Sequence, residues 1–233
     1  MKPDFSIIIP AYNEEHRIGN LLLQIPGKGG HYLIICDGSD STPAIVRKCA
    51  RSHPETDLRC LVYPHRLGKG GAVKEGFVNT DTAYVGFMDA DASTSVAQMI
   101  SLFEELGNAD CVVGSRWLPG SIVPERQGIA RRVESRGFNL LIRLLFGLSL
   151  TDTQCGAKVF KKSAIDAVIG EMAATGFEFD VELLWRLSMK GYTIKEYPIT
   201  WQNKGGSRVR GMDSFRMLKN LVSIRFFGGK EDG

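Results

Sequence analysis

The sequence predicts an α/β fold with a mostly parallel central sheet covered by helices on both faces. Three observations predict it. Short apolar runs alternate with stretches of helical spacing from Phe5 to Gly114. The runs are apolar throughout, as in strands buried on both faces. Each run also ends in a polar loop rich in Gly or Asp. Such alternation reads as successive strand–helix–strand crossovers.

Phe5–Ile9 is the first strand, with Pro10 expected to stop it, and Glu14–Ile25 carries helical spacing through Ile18, Leu21, Leu22 and Ile25. Tyr32–Cys36 is the second strand, and Ser41-Thr42-Pro43 starts a helix over Ala44–Arg51. Leu58–Tyr63 is the third strand, followed by a Gly-rich loop that opens a helix near Ala72. Ala83–Met88 is the fourth, Val96–Leu106 a helix, and Cys111–Gly114 the fifth strand. After about residue 116 the pattern changes to helices and short antiparallel strands, with no internal repeat or low-complexity linker.

The 233 residues suffice for one large domain, and 43% hydrophobic with 24% charged residues is an ordinary soluble composition. A net charge of +3 is too small to argue for nucleic acid, so none is expected as a partner. Five cysteines without a C-x-x-C pair or zinc-ligand spacing read as buried thiols in a reducing compartment. Met1-Lys2-Pro3-Asp4 leads straight into a strand, so no signal peptide is expected. No apolar run reaches the roughly 18 residues of a spanning helix; Phe138–Leu150 is too short and contains Arg143. The expected location is cytoplasmic.

Chemistry should collect at the carboxyl ends of the strands. The fourth strand ends in Asp89-Ala90-Asp91. Two close carboxylates repel each other unless a cation intervenes, and a hard divalent ion such as Mg²⁺ or Mn²⁺ bridges from carboxylates to a diphosphate. The alternative is a solvated loop in which an Asp only caps the next helix. The other strand-end loops are Pro10-Ala11-Tyr12-Asn13-Glu14-Glu15, Asp37-Gly38-Ser39-Asp40-Ser41, Gly68-Lys69-Gly70-Gly71-Ala72 and Gly114-Ser115-Arg116. The Gly68–Gly71 segment fails as a Walker loop, because Gly70 stands where Ser or Thr is required, and no G-x-G-x-x-G is present.

Taken in order, Ile7-Ile8-Ile9-Pro10-Ala11-Tyr12-Asn13-Glu14, Asp37-Gly38-Ser39, Gly68-Lys69-Gly70-Gly71-Ala72, Asp89-Ala90-Asp91 and Gly114-Ser115-Arg116 resemble the inverting GT-A glycosyltransferases of family 2. Within that family the chain is similar to the polyprenyl-phosphate glycosyltransferases. Asp152-Thr153-Gln154-Cys155-Gly156 and Phe179-Asp180-Val181-Glu182-Leu183-Leu184 resemble the dolichyl-phosphate glucosyltransferase branch more than the mannose branch. The resemblance runs from Phe5 to about Arg210.

It implies a GT-A domain over 1–210, with a nucleotide-sugar half at 1–116 and an acceptor half at 117–210, followed by a tail at 211–233. Pro10, Tyr12, Glu14 and Asp37 would hold the base and ribose, with the Ile35 backbone nearby. Asp89 and Ala90 would face the ribose or sugar, Asp91 would be the main ligand of Mg²⁺ or Mn²⁺ with Asp89 beside it, and Lys69 would join the donor site. Lys204 and Arg208 would belong to a loop closing over the diphosphate. Arg116, Arg131 and Ser135 would bind the phosphate of a lipid acceptor, since an arginine fork suits phosphate oxygens. Asp152 would orient the sugar, or merely cap a turn. Two departures stand out: Cys36 precedes Asp37 where many relatives are acidic, and Ser93 stands where mannose synthases have a further ligand, Gln.

The implied reaction moves a hexose from a nucleotide-diphospho-sugar, UDP-glucose before GDP-mannose, to a polyprenyl or dolichyl phosphate with inversion. A family 2 enzyme acting on a hydroxyl would instead need a general base, for which Asp152 is the candidate. A sugar-1-phosphate nucleotidyltransferase lacks support, because its Gly-rich, Arg-containing first loop is replaced by Ala11-Tyr12-Asn13-Glu14. A non-catalytic binding module is disfavoured by the retention of both Asp89 and Asp91. Ser214–Phe227 forms a basic amphipathic helix that either lies on a membrane surface or packs on the domain or a homodimer partner.

Overall fold

The computed structural model describes residues 4–124, 129–202, 204 and 211–227, side chains excepted at 129–136, 138, 211–216 and 227. One seven-stranded sheet runs in the order β3-β2-β1-β4-β6-β5-β7. β1 (Phe5–Ala11), β2 (His31–Cys36), β3 (Asp57–Val62) and β4 (Tyr84–Met88) are parallel. β5 (Cys111–Ser115) and β7 (Ile194–Pro198) are parallel to each other, and β6 (Ala157–Lys161) runs antiparallel between β4 and β5. Every strand except β6 therefore points the same way, and their carboxyl ends share one edge. The helices are α1 (Ile18–Leu22), α2 (Thr42–Ser52), α3 (Gly68–Val78), α4 (Val96–Glu104), α5 (Ile129–Phe146), α6 (Lys162–Asp166), α7 (Phe179–Met189) and α8 (Gly211–Phe227).

The unbroken apolar runs have a direct cause. Successive strand residues face opposite sides of the sheet, and both sides are covered here. Ile7, Ile9 and Ile34 pack with Met99 and Leu102 of α4, while Ile8, Leu33 and Ile35 pack with Phe77 of α3 and Phe179 of α7. Under the Asp pair, Phe87 sits within 6.2 Å of the rings of Phe77, Phe160 and Phe179. Each such buried side chain contributes about 1.5–3 kcal/mol, which makes this the rigid floor of the site.

Several boundaries differ from the sequence reading. β1 continues through Pro10 to Ala11, because its pairing with β4 ends at Ile8 and leaves Pro10 bonded only on the β2 side. The first helix shrinks to Ile18–Leu22, since the chain on either side closes in tighter turns, Arg17 N to Glu14 O before it and Gln24 N to Leu21 O and Ile25 N to Leu22 O after it. α3 begins at Gly68 instead of near Ala72. Of the short antiparallel strands expected after residue 116, β6 is one, whereas β7 runs parallel to β5. α8 buries Met217, Leu221 and Ile224 against the domain, and its Asn220 donates to Glu178 at 3.1 Å. Of the predicted apolar stripe, Phe226 stays 64% exposed. No helix among the described residues is long and apolar enough to cross a membrane.

Candidate active site

The loops after β1 and β2 are tied to each other before any ligand is considered. Asn13 Oδ1 accepts from Ser39 N, Asp40 accepts from Glu15 N, and Glu15 in return accepts from Ser41 N. Glu14 is buried and grips Arg17 through two 2.7 Å bonds, while the Tyr12 ring lies 4.1 Å under the Arg66 guanidinium. Pro10 and Ile35 are register partners at the end of the β1–β2 ladder. The structure thus brings Pro10, Tyr12, Glu14 and Ile35 to one corner, with Arg66 as a neighbour that the sequence reading did not include.

Asp37 joins that corner to the Gly-rich segment. Its Oδ2 accepts from Leu67 N and Gly68 N, and the Thr175 carbonyl accepts from Gly70 N and Gly71 N. Four amides at the start of α3 are therefore used by the protein, which is why this glycine cluster is not a phosphate cradle. Gly68 has a positive φ of 77°, and a side chain there would strike the Thr175 carbonyl.

Asp89-Ala90-Asp91 forms the turn after β4. The Ala90 side chain enters the core, leaving its backbone and the two flanking carboxylates at the edge. Asp91 Oδ1 accepts from Ser93 N at 2.9 Å, and its Oδ2 meets no donor among the described residues. Ala92, between them, takes a left-handed φ of 57°. For a residue with a Cβ this costs about 1 kcal/mol or more, and the Asp91–Ser93 bond and a Gln202 N to Ser93 O bond hold it there.

Asp89 points to Lys69, with Oδ1 at 3.0 Å from Nζ, and Lys69 lies 3.3 Å from Asp180. Asp180 also takes the ammonium of Lys158 at 2.6 Å. Burial pushes the Asp89 carboxyl up, but Lys69, with Lys158 and Arg116 behind it, outweighs burial and holds it below the usual range. Burial likewise opposes the Lys69 charge, and Asp180 and Asp89 more than offset it, so its pKa is raised. Asp180 and Lys158 escaped the sequence reading as site residues. The available signal was a lysine interrupting the apolar run of β6.

Asp152 has no exposed surface, and both its oxygens engage Arg116: Nε at 2.7 Å, Nη2 at 2.9 Å and the backbone N at 3.0 Å. Burial raises the Asp152 pKa, and the Arg116 guanidinium overcomes this and lowers it. Arg116 keeps Nη1 clear of described partners, and its guanidinium lies 5.6 Å from the Trp201 ring. Arg131 and Ser135 belong to the backbone of α5, and their side chains lie outside the described residues. Lys204 donates to Gln202 at 2.7 Å, one residue pair from the Asp91 turn, and Arg208 lies outside the described residues.

For a divalent metal, the available donors among the described residues are hard carboxylate oxygens: Asp91 with Oδ2 unpaired there and Asp89 with one oxygen held by Lys69. Among the described residues no group of three or more His, Cys, Asp or Glu gathers. That donor set fits a hard cation taking most of its ligands from a diphosphate and water.

The model of glycosyl transferase family 2 matches residues 6–169, from the second residue of β1 to beyond the end of β6. The chain belongs to glycosyl transferase family 2. Among curated relatives of this family 2 protein, the dolichyl-phosphate beta-glucosyltransferase of Saccharomyces cerevisiae is 30% identical, over 94% of this chain and 73% of that protein. The glycosyltransferase AglD of Haloferax volcanii is also 30% identical, over 88% of this chain but only 34% of its own length. The crystal structure of glucosyl-3-phosphoglycerate synthase from Mycobacterium tuberculosis with Mn²⁺, UDP and phosphoglyceric acid superposes with a TM-score of 0.70, at 16% identity and covering 99% of this chain and 81% of that one. The fold is GT-A, as the sequence predicts, and the chain is a glycosyltransferase.

Proposed function

We propose that this glycosyltransferase moves glucose from UDP-glucose to a polyprenyl or dolichyl phosphate, inverting the anomeric carbon to give a β-linked product. The observation that carries the reading is the pair of tools on one sheet edge: Asp91, whose Oδ2 has no donor among the described residues, and Arg116, pinned by Asp152 with Nη1 clear of described partners. The first suits a metal-bound diphosphate, the second an acceptor phosphate. The named beta-glucosyltransferase relatives and the UDP and Mn²⁺ bound by the structural neighbour support both halves.

On this reading Asp91, with Asp89 beside it, would hold Mg²⁺ or Mn²⁺, which would neutralise charge on the departing diphosphate. Tyr12, Glu14 and Asp37 line the base and ribose corner. Arg116, with Arg131 and Ser135, binds the acceptor phosphate. A phosphomonoester has a second pKa of roughly 6, so it is already anionic at neutral pH and needs no strong base. Catalysis is then positioning and charge stabilisation. Asp152 serves by fixing the Arg116 fork. A buried carboxylate with both oxygens occupied is poorly suited to taking a proton from a hydroxyl acceptor. Lys204 and Arg208 close over the diphosphate, and membrane contact is peripheral, through the exposed side of α5 or α8.

The test incubates the protein with labelled UDP-glucose or GDP-mannose, Mn²⁺ or Mg²⁺, and a short polyprenyl phosphate, then counts the extracted lipid. Label in the lipid from UDP-glucose, absent with Asp91→Ala, is the expected result. Donor hydrolysis without lipid label would overturn the lipid acceptor, and lipid label from GDP-mannose alone would overturn the donor.

A further inference from the structure

Lys158 sits in the middle of a central strand with no exposed surface, beside Phe87 of the strand that delivers Asp89. Withdrawing an ammonium from water costs several kcal/mol even after relaxation, and an apolar side chain there would serve the core at least as well. Lys158 does not contact the Asp pair directly. Its Nζ donates to Asp180 Oδ1 and to the Cys155 carbonyl, both at 2.6 Å. Asp180 Oδ2 in turn faces Lys69, and Lys69 faces Asp89.

These contacts close on themselves. Gly156, the residue after Cys155, lies so close to the Asp89 carboxylate that a methyl group in its place would overlap it. Asp89, Lys69, Asp180, Lys158 and the Cys155-Gly156 turn therefore form a ring. Its two carboxylates and two ammoniums alternate and cancel, while Asp91 stays outside with no cation paired to it among the described residues. The Phe87 ring, 5.8 Å from Lys69 and 5.3 Å from Lys158, walls one side.

We infer that Lys158 and Asp180 are positioning residues for glycosyl transfer, clamping Lys69 and through it fixing the Asp89 carboxylate that faces the donor. This rests on the donor site proposed above. The clamp gives the lysine of the Gly-rich segment a job other than phosphate binding. It also explains the Gly of the Asp-Thr-Gln-Cys-Gly segment and the Asp that opens α7.

Removing one partner of a buried ion pair is strongly destabilising, whereas replacing both by apolar residues is often neutral, so the test uses Lys158→Met with Asp180→Leu. Two readouts are taken against wild type, with thermal melting as the folding control. Acylation of Lys69 by acetic anhydride, followed by mass spectrometry, is expected to speed up about tenfold, because the ammonium loses the Asp180 carboxylate that holds it at 3.3 Å. kcat for glucose transfer is expected to fall about 100-fold, as for a misplaced catalytic group, with KM for UDP-glucose changed less than about threefold. Unchanged Lys69 labelling overturns the clamp, and wild-type kcat in a variant that melts like wild type overturns the positioning role. A wild type that transfers no glucose overturns the proposed function instead, and Lys69 labelling then still decides whether the clamp exists. If the double variant does not fold, Asp180→Glu, which keeps both charges of the pair but moves the carboxylate, carries the same readouts with the same expected directions.

Discussion

At the carboxyl edge of the sheet, Asp152 is fully buried against Arg116, and Lys69 is 13% exposed between Asp89 and Asp180. At the opposite edge, His31 bridges Asp4 and Asp57 with side chains 36%, 64% and 42% exposed. Both edges gather opposite charges at hydrogen-bond distance, but only one takes them out of water. A solvated pair contributes little because water and salt screen it. A buried pair is costly to assemble and still more costly to break. Burial, more than the number of charges, therefore separates the edge that carries the candidate site from the opposite one.

The sharpest way to break the contrast is Asp91→Ala. It removes the carboxylate left outside the charge ring and should lower glucose transfer about a thousandfold with the melting temperature little changed, as transfer assays beside calorimetry would show. Next is Asp152→Asn, which leaves Arg116 without its anion and should cost about 3 kcal/mol in denaturant unfolding. The same pair sets an acid limit. Because Arg116 lowers the Asp152 pKa, its stabilisation is present above the unfolded carboxyl pKa of about 3.9 and is lost as pH falls through the lower folded value. Gly156→Ala should keep the fold yet cut kcat about 100-fold, since the added methyl displaces the Asp89 carboxylate.

The smallest effect belongs to the exposed edge. Asp57, foremost through its hydrogen bond, and then Asp4 raise the His31 pKa above 6.5 against the opposing effect of burial. This contribution is full below pH 6.5 and fades as pH rises through the folded value. His31→Gln should remove that slope from melting temperature against pH while leaving transfer untouched. A slope that persists in the variant would show that another group causes it.

The strand pattern was legible because β1, β2 and β4 are apolar on both faces, and burial on both sides leaves that signature. The Asp pair alone was a weak signal, and it stood out only as one of five polar loops ending successive strands, the edge on which the structure also places it. What stayed hidden depends on contacts between distant residues. That Pro10 remains inside β1 follows from where β4 stops pairing. That Asp152 is spent on Arg116 follows from a bond spanning 36 positions. The role of the lysine in β6 depends on Asp180, 22 positions later, which no local pattern links to it.

β6 carries one last consequence. It comes from the later part of the chain, yet it lies between β4 and β5, which both precede residue 116. The two parts are interlaced, and a split after residue 116 would leave one fragment with a gap inside its sheet and the other holding the strand that fills it. Neither piece closes the sheet by itself, so a bisected chain should regain its charged edge when the two fragments are brought together.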